Sequence, residues 1–241
     1  MPAEIKLNKR FKIGGDSIDK AHQKLFSIVG KLVALNEDTA KQQHACREGI
    51  KYFKSYTIKH FADEEAYMQS INYAGYAMHK SLHDNLRDKT LPALEDELKE
   101  QDYSVESVQH FLGICIGWLN GHIMIEDRAI TGKNANKWVH QTAEDEIESL
   151  SKAILQGLQI LCQAKSQVIS LHYGGEKFST DNTICYRLTY VSKHKEKGKI
   201  QLYLVFEEPL VLRTLTEILG EDIKRIDKTS IYAMKILSEQ F

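Results

Sequence analysis

Histidines and carboxylates recur along the first 127 residues at spacings that only a helix turns into shared faces: His22, His60 with Glu64, His79 with His83, and His122 with Asp127. His60 and Glu64 are four apart, as are His79 and His83, so each pair lies on one side of its helix. His22 keeps register with Leu25, Phe26, Val29, Leu32 and Val33, the apolar stripe of its segment. His122 stands two turns from Cys115 and one turn from Trp118, again on an apolar side. Burying five imidazoles and two carboxylates without partners costs several kcal/mol for each group. Imidazole nitrogen and carboxylate oxygen together form a donor set for iron, and two carboxylates suit a bridged pair of ions. The chain is therefore constrained to several helices whose apolar faces converge on a polar centre.

Four such helices are predicted. Asp16 is the expected N-cap of the first, with Asp19 in its first turn. The second covers about 39–69, the third about 73–99 and the fourth about 104–128. Pro92 inside the third predicts a kink or a break, because proline removes one ladder bond. Five residues of α-helix turn through about 500°, leaving Asp127 about 140° away from His122. Both reach one centre only if the helix widens between them, so a π-bulge is predicted there. Short connections between long helices give the expected fold class, an all-α four-helix up-down bundle over 1–130.

Residues 131–143 are polar and read as a linker, and 144–241 reads as a small α+β domain. A helix is predicted from Glu144 to about Lys165, with Ile147, Leu150, Ile154, Leu158 and Leu161 as its stripe. The period then shortens to two. Ser166 to His172, Thr183 to Val191 and Lys199 to Phe206 are predicted strands, punctuated by Gly174-Gly175 and Gly198. Two helices follow, Leu210–Leu219 and Asp227–Glu239. The last stops abruptly at Phe241, so a longer natural chain is an expectation.

Composition narrows the function classes. The chain has 241 residues, 42% of them hydrophobic, with 32 basic and 33 acidic residues and a formal charge of −1. That balance argues against nucleic-acid or membrane-surface partners. No run approaches the roughly 18–20 apolar residues of a membrane span. The start, Met1-Pro2-Ala3-Glu4-Ile5-Lys6, lacks the apolar core of a signal peptide. Cys46, Cys115, Cys162 and Cys185 are scattered, so a reducing cytoplasm is the expected home.

The motifs Asp19-Lys20-Ala21-His22, His60-Phe61-Ala62-Asp63-Glu64-Glu65, His79-Lys80-Ser81-Leu82-His83 and His122-Ile123-Met124-Ile125-Glu126-Asp127 resemble the signature of hemerythrin domains of the bacterial kind. The resemblance covers residues about 11–130, and all seven ligand positions are filled. It implies two non-haem iron ions bridged by an oxo or hydroxo group. His79, His83 and His122 would hold one ion; His22 and His60 would hold the other, which keeps an open position for O2. Glu64 and Asp127 would bridge the two. Leu25, Phe61, Trp118, Leu119 and Ile123 match positions lining the family's gas pocket. Two positions depart from bacterial members: Phe11 stands where many have tryptophan, and Ile130 where they often have tyrosine. Glu65 reads as a solvated neighbour. His44, His110, His140, His172 and His194 read as surface or loop residues, and Cys115 as a small core residue.

The second half resembles, more faintly, half of the CheC/CheX-type chemotaxis phosphatase fold, through the strand and glycine-terminated helix of Lys199 to Gly220. That family's Glu-x-x-Asn is missing at Lys235-Ile-Leu-Ser238, which leaves dimerisation or partner binding as its expected use. The whole chain reads as a reversible O2 binder, its open position also able to take NO or azide, with the appended domain turning the purpose to oxygen or redox sensing. The alternatives are a diiron enzyme handling NO or peroxide, an iron store or interaction module, and zinc at His79 and His83.

Overall fold

The computed structural model describes residues 11–35, 40–132, 146–170, 182–191, 199–220 and 222–240. Helix α1 (Asp16–Leu35) is capped one residue earlier than expected. Gly15 O accepts the first helical bond from Asp19 N–H at 2.8 Å. Asp16 is thus the first helical residue rather than the cap. The Asp19 carboxylate folds back instead, accepting the N–H of Ile13 at 2.7 Å and of Gly14 at 3.3 Å.

Helix α2 (Ala40–Ser70) is followed by α3 (Tyr76–Asn85), a π-helical segment Leu86–Thr90, and α4 (Leu91–Glu100). Pro92 disrupts the predicted single helix in a mild way. The helical backbone runs on through it, from Thr90 into α4, so its missing N–H removes one ladder bond, and the wide π turn before it, in which Leu91 N–H bonds to Leu86 O, absorbs the change of register. Ser104 caps α5 (Val105–Gly121), its Oγ accepting Ser107 N–H at 3.2 Å. A second π segment, His122–Asp127, and the short α6 (Arg128–Ile130) complete the first half. Helix α1 packs on α2 and α5, α2 on α3, and α4 on α5. Phe11 meets Phe26 at 4.5 Å between ring centroids, and Phe53 meets Phe111 edge-on at 6.0 Å.

The second half contributes α7 (Glu146–Cys162), a hairpin of β1 (Thr183–Val191) and β2 (Lys199–Glu207), α8 (Glu208–Leu219) and α9 (Lys228–Ser238). The two strands are antiparallel, with Cys185 opposite Val205 and Arg187 opposite Tyr203. No strand is found at 166–170, the described part of the one predicted at 166–172. Residues 166–170 are not part of the sheet, and 171–172 lie outside the described residues. The stretch has no buried face, Ile169 being 89% exposed and Val168 44%. The greater part of the predicted linker, 133–143, also lies outside the described residues.

Helix α9 lies along α5 at backbone-contact distance. A Cβ on Gly113 would sit 2.7 Å from Thr229 O, and one on Gly117 2.7 Å from Ala233 O. Tyr186 donates its hydroxyl to Ile231 O, tying β1 to α9. One apolar cluster runs from Phe26, Phe53 and Phe111 to Phe206, Val211, Met234 and Leu237. Among the described residues no helix is long and apolar enough to cross a membrane.

Candidate metal centre

All seven predicted ligands are buried and converge between α1, α2, α3 and the π segment after α5. Helical spacing does most of this. His60 and Glu64 project from one face of α2, and His79 and His83 from one face of α3. The π segment does the rest. Bonding of the i→i+5 type brings residues five apart onto nearly one face, so His122 Nε2 and Asp127 Oδ1 meet at 3.0 Å.

The donor atoms form two overlapping groups. In one, ligand atoms of Glu64, His79, His83 and His122 all lie within 4.8 Å of one another; in the other, those of His22, His60, Glu64 and Asp127 do. His83 Nε2 is 3.2 Å from His79 Nε2 and 2.9 Å from His122 Nε2. Glu64 Oε2 faces His83 Nε2 at 3.3 Å and His79 Nε2 at 3.4 Å. Asp127 faces both ways, with Oδ1 3.4 Å from His79 Nε2 and Oδ2 3.1 Å from His22 Nε2. Both oxygens of Glu64, both oxygens of Asp127 and both ring nitrogens of His22 are buried without a hydrogen-bond partner.

That pattern is what a pair of cations requires. Adjacent ligands of a six-coordinate ion, each about 2.1 Å out, stand about 3 Å apart. Three imidazole lone pairs at that separation repel unless a cation or protons lie between them, and orphaned buried carboxylates are costly for the same reason.

The electrostatics reflect the crowding of charge. Burial and the neighbouring Asp127 both push the Glu64 carboxyl up, yet the imidazoles of His79 and His83 hold it down, to about 2. Burial likewise opposes ionisation of Asp127, and His122 and His22 hold it well below the usual carboxylate range. Burial lowers His22 and His79, but Asp127 beside the first, and Glu64 and Asp127 beside the second, leave both raised. Burial prevails at His60, lowered to about 4, and at His122, also lowered.

An apolar shell encloses the donors. Leu25, Phe61, Leu119 and Ile123 are buried, and Trp118 is partly so. Phe61 stacks on His83 with centroids 3.9 Å apart and planes 5° apart, and Trp118 stacks on His122 at 4.2 Å and 16°. Phe11 and Ile130, where tryptophan and tyrosine were noted as missing, are buried apolar residues.

Glu65 is closer to the site than its reading as a solvated neighbour implied, with Oε1 3.1 Å from His83 Nδ1. Its place immediately after Glu64 was the available signal. His110 is also not a free surface residue; it pairs with Glu97 at 2.8 Å and packs on Tyr232 at 4.0 Å between rings. His44 is exposed, and His140, His172 and His194 lie outside the described residues. Cys115 is a buried free thiol that burial pushes far up, so it offers no thiolate.

Known proteins resemble the first half of the chain. The family model "Hemerythrin HHE cation binding domain" matches residues 14–133. A bacteriohemerythrin of Clostridium acetobutylicum is 34% identical over 121 residues, which cover 49% of this chain and 92% of that protein. A myohemerythrin of Sipunculus nudus is 30% identical over 126 residues, 52% of this chain and 90% of its own length. The hemerythrin subunit alpha of Lingula reevii is 28% identical over 134 residues, 55% of this chain and 97% of its own length. No solved structure matches the chain.

Proposed function

This chain belongs to the hemerythrin family, and from that premise we propose that it is a non-haem diiron protein that binds O2 reversibly. The observation that carries the reading is the meeting of the His79, His83 and His122 donors with orphaned carboxylates that also face His22 and His60. In this reading His79, His83 and His122 hold one ion. His22 and His60 would hold the other, the one O2 would reach. Glu64 and Asp127, each placed toward both histidine groups, would serve both ions. Bound there, a pair of ferrous ions supplies the two electrons that O2 takes up and returns.

The protein's part is to hold geometry and exclude water. Phe61 and Trp118 cover imidazole faces, while Leu25, Leu119 and Ile123 close the apolar wall. A dry lining admits O2 and slows the entry of protons. NO and azide would compete for the same ion.

The helices α1 to α6 serve in this reading as a four-helix up-down bundle over 1–130. Residues 144–241, after a linker at 131–143, act as a smaller α+β unit, and the passage from β2 into α8, ended by Gly220 at φ 71°, supports a CheC/CheX-like arrangement for it. Its role is oxygen or redox sensing in the cytoplasm, through dimerisation or a signalling partner. The contact of α9 with α5, the helix leading into His122 and Asp127, supports that role.

Iron content and the visible spectrum test the proposal together. Two iron ions per chain are expected, with a visible absorption that appears on exposing the reduced protein to O2 and disappears when O2 is withdrawn. A colourless protein, or one binding zinc alone, overturns it.

A further inference from the structure

Glu65 follows Glu64 on α2 and so points about 100° away from it, toward the outer side of His83. Its Oε1 lies 3.1 Å from His83 Nδ1, and the side chain is 15% exposed. On the inner side, His83 Nε2 faces His79 Nε2 and His122 Nε2, 3.2 and 2.9 Å away, and Glu64 Oε2, 3.3 Å away. An ion held at Nε2 would leave the ring's proton on Nδ1, where Glu65 Oε1 is placed to accept it. The flat face of the ring is covered by Phe61. Among the described residues, the Nδ1 atoms of His22 and His79 have no such acceptor. His83 is thus held on three sides.

Glu65 is in turn tied to α3. Lys80 Nζ stands 3.9 Å from its Oε2 and 2.6 Å from Asp84 Oδ1, and Arg87 also holds Asp84 at 2.6 Å. These charges run along the surface beside the α2–α3 junction, and Glu65 is where they meet the buried site.

We propose that Glu65 is a positioning residue, which fixes the tautomer and ring plane of His83 and thereby secures the ion bound by His79, His83 and His122. The inference rests on the diiron reading above. A carboxylate accepting from the outer nitrogen of a ligand histidine also makes its inner nitrogen a stronger donor, and removing such partners costs roughly 10–100-fold in metal affinity. Glu65 touches only one of the two histidine groups, so its loss acts on one ion.

Chelator competition on the iron-loaded full chain tests this. In Glu65→Leu one of the two ions is expected to bind roughly 10–100-fold more weakly while the other is held as in wild type. Glu65→Gln keeps an acceptor oxygen without the charge, and an intermediate loss is expected. Unchanged affinity for both ions in Glu65→Leu overturns the proposal. If the leucine variant does not fold, as judged by far-UV circular dichroism of the metal-free protein, unchanged affinity in Glu65→Gln does so. Nitrogen-15 NMR of the metal-free wild type gives a second reading, with His83 expected as the Nδ1–H tautomer; Nε2–H overturns the assignment. A wild type that takes up no pair of ions overturns the diiron reading itself, and the tautomer measurement still judges the Glu65 contact.

Discussion

At the scale of single residues, protons and metal ions compete for the same side chains. In the metal-free protein His22 and His79 have raised pKa values, set by the carboxylates facing them. Their contribution to stability is complete below the unfolded value of about 6.5 and is lost as pH rises through the folded values. Glu64 and Asp127 work in the opposite direction. With Glu64 held at about 2 and Asp127 held well below the usual carboxylate range, they stabilise above the unfolded value of about 4 and lose that contribution as pH falls through their folded values. His60 and His122, lowered by burial, act in the opposite sense to His22 and His79, because the unfolded chain takes up their protons below about pH 6.5 while the folded one resists. The metal-free protein is therefore expected to be most stable near about pH 6.5, weakening below it and, as His22 and His79 lose their protons, toward pH 9. The iron-loaded protein keeps its stability there, because ions replace the protons. Melting curves of both forms across that range check this, and parallel curves refute it. Phe61 gives a second test. Replacing it with Ala removes a buried ring and the layer over His83, which costs about 3–5 kcal/mol. Urea denaturation reads the loss, and the O2-exposed protein should also bleach faster as water reaches the site.

At the scale of elements, the π turn at His122–Asp127 shows how chemistry can be read through helix geometry. Two ligands five apart are incompatible with an α-helix and compatible with a π turn, so the spacing alone predicted the widening. Pro92 was legible as a disturbance, but not its form, because a nearby π segment and a break both relieve the same missing bond. The unformed strand at 166–170 marks the limit of pattern reading. Its β-branched residues suit a sheet, but strand formation depends on a neighbour, which lies beyond any local window. The docking of α9 on α5 was hidden for a related reason. Gly113, Gly117 and Gly121 recur every four residues, a small-residue face whose partner lies more than a hundred residues away. Gly117→Ala decides whether that contact is tight. In an open helix the change gains up to about 1 kcal/mol of helix propensity. Here the new Cβ would meet Ala233 O and Ile236 Cβ, both at 2.7 Å, so a net loss of about 1–3 kcal/mol is expected. Stabilisation in a urea titration would mean that α9 does not rest there.

At the scale of the whole molecule, all seven proposed ligands come from α1, α2, α3 and the π segment after α5, and the family match ends at residue 133. The apolar cluster does not end there. It continues through Leu161, Val211, Leu215, Met234 and Leu237, and α9 also supplies Tyr232 to cover His110. Metal binding and stability should therefore separate on truncation. A chain cut to residues 1–133 retains every ligand and is expected to take up two ions. It also uncovers the face of α5 that Gly113 and Gly117 keep flat, together with the apolar side chains packed against α8 and α9. Exposed apolar surface of that kind favours self-association. The truncated protein is expected to melt several degrees lower than the full chain and to associate with rising concentration, measured by calorimetry and light scattering. Coupling between the halves shows in the same pair of proteins. If α9 influences the position of the His122–Asp127 turn, deleting it changes metal affinity. By reciprocity, metal binding then changes the hydrogen-exchange protection of α9 amides in the full chain to a matching degree. Equal affinities in the two proteins, with α9 protection indifferent to metal, would leave the second half as a cover for the bundle and remove the structural support for sensing through it.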